Sequence, residues 1–74
     1  MPNLLDLAHA FVQAHRLHEE SYIDGTFRYA KDRRQCAEEA TPDADLRLLV
    51  YIGLAYTGEF VEWAEAYIAK EKAP

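Results

Sequence analysis

The sequence predicts an all-α fold: a helical hairpin of two long helices, residues 4–40 and 43–71, that dimerises into a four-helix bundle. Helix-forming residues, above all Ala, Leu, Glu and Arg, dominate most of the chain. The β-rich stretch Val50–Ile52 has no hairpin-turn signal on either side. Apolar residues recur with a helical period before and after Thr41. These three observations favour helices over a sheet.

The first predicted helix begins after Asn3. Asparagine is a good N-cap, and Asp6 follows three residues later, which is a variant of the capping box. At 100° per residue, one apolar line runs along this helix and passes Gly25 without a change of phase. The line contains Leu4, Ala8, Phe11, Tyr22, Tyr29, Cys36 and Ala40. Because a turn usually resets the phase, we predict one helix that continues through Gly25.

The second predicted helix begins at the segment Thr41-Pro42-Asp43. Thr41 is the expected N-cap, Pro42 the first helical residue, and Asp43 and Asp45 lie at the positive end of the helix dipole. A second apolar line runs from here through Gly58. It contains Leu46, Val50, Gly53, Thr57, Phe60, Val61, Ala64, Tyr67 and Ile68.

Two glycines leave other helical arrangements open. Gly25 and Gly58 each lie in a turn-like tripeptide, and each is either a C-cap or an interior glycine that costs about 1 kcal/mol relative to alanine. A three-helix bundle broken at Gly25 is the main alternative. A four-helix array is the third arrangement.

The stretch 53–67 resembles one tetratricopeptide repeat in its Gly53, in Tyr56 three residues on, and in a Gly-Glu-Phe turn followed by a later tyrosine. The turn is shorter than that family's, and Trp63 stands where a small residue is expected. No second copy lies about 34 residues upstream, so we do not assign the chain to that family. The resemblance implies a helix–turn–helix at Gly58.

The run Leu48–Tyr56 contains nine residues and no charged or amide side chain. It is too short to span a bilayer, which takes about 20 apolar residues. A helix that is apolar all round must be covered on every side. In a hairpin one face of this run stays bare, which predicts a self-association surface. Its residues are Leu48, Tyr51, Ile52, Ala55 and Tyr56.

Composition predicts one small cytoplasmic domain over residues 1–74. Half of the residues are apolar, and the net charge of −5 argues against general affinity for nucleic acid. We expect no membrane partner. Cys36 is the only cysteine, so no disulfide forms within the chain, and we expect its small side chain to be buried. The start of the chain lacks the basic region of a signal peptide and reaches Asp6 at once.

Motifs for catalysis are missing from the sequence. There is no glycine-rich phosphate loop, and the only serine, Ser21, is not in a nucleophile elbow, so we predict a non-enzymatic protein without a cofactor. His15 and His18 share a helix face with Glu19 one turn away. In a symmetric dimer they would bring four imidazoles near an axis, so a metal-binding helical bundle is the first functional alternative.

Basic residues cluster between Arg28 and Arg34. Arg28, Lys31 and Arg34 would dock on an acidic protein surface, whereas nucleic-acid binding through the same residues is the second alternative. An i,i+4 pair between Arg34 and Glu38 would instead make this a solvated helix face. Trp63 lies off the main apolar line and is the fourth predicted partner-binding residue, because tryptophan is a common interface anchor.

These observations favour a small protein–protein interaction module that forms a homodimer. We expect it to be a regulator or inhibitor that binds a larger partner protein. Stand-alone helical proteins of this size often have such roles, and viruses and mobile elements encode many of them.

Overall fold

The structure, a computed structural model, describes residues 3–23, 32–56 and 58–72, with the side chains of residues 22 and 23 left aside. Within these ranges the chain forms four α-helices and no strand, which confirms the predicted all-α class. The helices are α1 (Leu4–Ile23), α2 (Arg33–Ala40), α3 (Ala44–Ala55) and α4 (Glu59–Lys72).

The prediction of two long helices is wrong, because both are interrupted. Before α2, Asp32 has extended backbone angles (φ −77°, ψ 171°), and its carboxylate accepts a hydrogen bond from the N–H of Gln35 at 2.8 Å. After α3, Tyr56 is again extended (φ −92°, ψ −177°). The carbonyl of Gly58 then accepts the first hydrogen bond of α4, from the N–H of Glu62 at 3.0 Å. Gly25, the break point of the three-helix alternative, lies outside the described residues.

The predicted start of the first helix is confirmed, whereas the start after Thr41 is displaced. Asn3 Oδ1 accepts a hydrogen bond from the N–H of Leu5 at 2.7 Å. Thr41 is the C-cap of α2, not the N-cap of α3. The N-cap of α3 is Asp43, whose carboxylate accepts hydrogen bonds from the N–H groups of Asp45 (2.9 Å) and Leu46 (3.1 Å). An ionised carboxylate that satisfies two free N–H groups is a stronger cap than a threonine hydroxyl.

The Asp43 cap gives a first testable prediction. Asp43→Ala should lower the free energy of unfolding by about 1 kcal/mol, because two N–H groups at the start of α3 lose their acceptor. Asp43→Asn should retain most of the stability, since its amide oxygen also caps. Urea denaturation followed by circular dichroism measures both, with Asp45→Ala as a control for charge near the helix start. A loss in Asp45→Ala as large as that in Asp43→Ala would contradict this assignment of the cap.

Helix α1 is the central helix of the packing. It contacts α2, α3 and α4, and α2 also contacts α3. The core that these helices enclose consists mostly of small side chains, with Phe11 as the one aromatic residue buried within the described ranges. Its buried apolar residues are Ala8, Ala10, Phe11, Ala14, Cys36, Ala37, Leu46, Val50, Val61 and Ala64. Cys36 is fully buried, as expected for a small apolar side chain in a core.

Candidate interaction surface

Large apolar side chains lie on the outside of the described chain. Eight of them are at least 38% exposed, whereas half of the ten buried apolar residues are alanines. The eight are Leu4, Leu48, Leu49, Tyr51, Ile52, Tyr56, Phe60 and Trp63. Isolated exposed apolar residues are normal on a protein surface, but a contiguous group marks an interaction site.

Several of these residues line a groove of about 620 Å³ between α3 and α4. Helix α1 packs against both of these helices and forms the floor. The lining residues are Leu4, Leu7 and Phe11 of α1, Leu49, Ile52 and Gly53 of α3, and Glu59, Phe60 and Trp63 of α4. Among the described residues of this lining, Glu59 alone carries a charge, so the groove suits an apolar occupant.

Phe11, on the floor of the groove, contacts both of the helices that form its walls, α3 and α4. Its ring stacks on Phe60 with centroids 5.8 Å apart and meets Trp63 edge to face at 6.4 Å. On the other side the ring lies against Gly53, where a Cβ atom would overlap it. The glycine therefore lets the α3 backbone approach the aromatic ring. Phe11 itself is only 3% exposed, so it supports the groove from below.

The structure places all five residues of the predicted self-association surface on the outside of the chain. Helix α3 is not bare all round, because Leu46, Val50 and Gly53 are buried on its inner face. Leu48 and Tyr51 lie on one flank of the outer face, and Ile52 also lines the groove.

The sequence did not predict the groove itself. The apolar lines of the sequence predict that Leu4 and Phe60 are buried, yet they are 53% and 41% exposed. Both lie in the first turn of their helices, where fewer neighbouring residues cover a side chain. Gly58 was the sequence signal that could have located this wall, because α4 begins after it and is separate from α3.

The basic surface is only partly described. Arg34 is 81% exposed, and its Nε lies 3.4 Å from Oε1 of Glu38, the i,i+4 pair that the spacing indicated. It lines a depression of about 390 Å³ between α2 and α3 together with Arg47 and Tyr51. Arg28 and Lys31 lie outside the described residues. Trp63 lines the groove instead, so Arg34 and Trp63 belong to different surfaces.

The two candidate metal ligands are close together and half-buried. His15 and His18 line a small cavity of about 180 Å³ with Glu19, and His15 Nε2 lies 3.6 Å from Glu19 Oε1. Arg33 lines the same cavity, and its positive charge opposes a cation there. Within the described part of one chain, no group of three or more His, Cys, Asp or Glu side chains could hold a metal ion. The site with four imidazoles, which needs two chains, stays a prediction.

None of the helices in the described ranges is long and apolar enough to cross a membrane. Comparison of the chain with protein-family models, curated proteins and solved structures gives no match. A proposal about function therefore rests on the surfaces described above.

Proposed function

We propose that the chain is a small, non-enzymatic protein–protein interaction module that forms a homodimer and acts as a regulator or inhibitor by binding a larger protein. The observation that supports this most is the placement of eight large apolar side chains outside a core rich in alanine. Covering apolar surface stabilises by about 25 cal/mol per Å². A domain of this size buries a smaller fraction of its surface than a larger domain does, so its folded state is only marginally stable. Association would cover the exposed apolar side chains and stabilise the folded state further.

The homodimer uses the outer face of α3. Leu48, Ile52 and Ala55 follow at intervals of four and three residues and so share one side of α3, and the exposed cap residue Tyr56 lies at the end of that helix. Charged side chains, which are depleted at the centre of interfaces, are missing from this side between Arg47 and Glu59. Sedimentation equilibrium at tens of micromolar should give twice the chain mass of 8.5 kDa.

The larger partner binds to the basic surface, the one that contains Arg34. Arg34 is well exposed beside the depression between α2 and α3. Arg28 and Lys31 belong to the same basic cluster of the sequence but lie outside the described residues. On a chain with a net charge of −5, this is the face best suited to an acidic protein surface. We place this encounter in the cytoplasm, where the lone thiol of Cys36 stays reduced. Metal binding has less support, because Arg33 lines the histidine cavity.

Charge reversal tests the partner surface. A variant with Lys31→Glu and Arg34→Glu, used as bait in extracts of the native host, should capture about tenfold less of its partner than the wild type, because the acidic surface is now repelled. The matched control reverses Arg16 and Lys70, two exposed cations on other faces, and so changes the net charge equally. Mass spectrometry identifies and quantifies the captured protein. Equal capture by both variants and the wild type would contradict the proposal.

A further inference from the structure

We infer that each copy of the dimer inserts the outer face of its α3 into the α3–α4 groove of the other copy, around a two-fold axis near Ile52. This inference rests on the proposed homodimer. It adds α1 and α4 to an interface that the sequence confines to the run 48–56, and it makes the second copy the occupant of the groove.

The area of the surface favours this arrangement over contact through α3 alone. The aromatic side chains in the group are 38–66% exposed, and a whole aromatic side chain offers roughly 150–250 Å². By the same proportion, the exposed apolar residues of α3 together with its cap residue Tyr56 offer on the order of 500 Å². Adding Leu4, Phe60 and Trp63 brings the total to about 750 Å², close to the roughly 800 Å² per partner of a stable interface.

The shape of the surface is self-complementary. A two-fold interface uses the same patch on both copies, so the patch must contain both a ridge and the groove that receives it. The ridge is the outer face of α3, with Leu48, Ile52 and Ala55 at the i, i+4 and i+7 spacing of a helix that docks in a groove, and with the cap residue Tyr56 at its end. Ile52 also lines the groove. Because it belongs to both parts, it is the residue nearest to the axis.

Charge in the groove does not oppose this pairing. Among the described residues that line the groove, Glu59 is the only charged one, and it lies in the first turn of α4. The outer face of α3 that enters the groove carries no charged side chain between residues 48 and 56, so no like charges meet in the interface.

Leu4→Glu tests the groove without altering α3. Leu4 is the first residue of α1 and is 53% exposed, and a carboxylate in the first helical turn is favoured by the dipole, so the fold is retained. The matched control is Gln13→Glu, which adds the same charge to an exposed position of α1 that lines a different depression. Sedimentation equilibrium gives the dimer dissociation constant. We expect it to rise at least about tenfold for Leu4→Glu and to stay unchanged for Gln13→Glu.

Fluorescence gives a second measurement, because Trp63 is the only tryptophan and lines the groove. Its emission should shift to longer wavelength as wild-type dimers dissociate on dilution. An unchanged constant for Leu4→Glu, or constant emission across the dissociation, overturns the groove arrangement while the dimer of the proposed function stands. A monomeric wild type overturns both.

Discussion

Gly53→Ala is expected to destabilise the fold by about 2 kcal/mol, although alanine is the better helix former by about 1 kcal/mol. The new Cβ would overlap the ring of Phe11. That ring cannot withdraw easily, because it is buried and packs against both Phe60 and Trp63. Overpacking of this kind costs about 1–3 kcal/mol. The midpoint of urea denaturation measures the change, which is a large share of the stability of so small a domain.

Gly58→Ala is the control, because among the described residues, apart from its chain neighbours, none has a heavy atom within 4 Å of a Cβ atom built at that position. We expect its free energy of unfolding to stay within about 0.5 kcal/mol of the wild type. If Gly53→Ala instead stabilised the protein, as alanine does at an open helical position, Phe11 would not lie against α3 in solution. The floor of the groove would then be wrongly placed.

The buried faces of the helices were predictable from the sequence, whereas the prediction of two long helices missed the breaks between them. The tetratricopeptide resemblance implies a turn at Gly58, which is where α3 and α4 are separated. Phe11, Val50 and Ala64 lie on the predicted apolar lines and are buried. The lines continue across the break at Tyr56 because α3 and α4 both turn their apolar faces towards α1. Continuity of phase therefore does not require continuity of the helix.

The start of α2 did have a local signal. Asp32 is followed three residues later by Gln35, the spacing of a capping box, and its side chain caps the helix. The exposed apolar face of α3 was predictable, because the run 48–56 contains no charged or amide side chain. The groove could not be predicted in the same way, because it depends on how α4 is placed against α1 after the break.

Ile52→Glu is expected to raise the dimer dissociation constant by about 100-fold, the largest effect that we predict on association. Ile52 is 45% exposed in the single chain, so a carboxylate there remains hydrated and the monomer keeps its fold. At the proposed two-fold axis, each dimer would instead bury two carboxylates that face each other. Desolvation and repulsion between like charges both oppose association. Sedimentation equilibrium measures the constant, and circular dichroism checks the helices.

Two further variants separate charge from lost apolar contact. Ile52→Gln has a side chain of similar length without the charge, so its dissociation constant should lie between those of the wild type and Ile52→Glu. Ala66→Glu adds the same charge to an exposed position of α4 that does not line the groove, and should leave the constant unchanged. The wild-type melting temperature should rise with protein concentration, because dimerisation stabilises the folded chain by mass action, and Ile52→Glu should lose most of that dependence. If Ile52→Glu kept the mass and the concentration dependence of the wild type, the outer face of α3 would be solvent-exposed in the assembled protein and the proposed interface would be wrong.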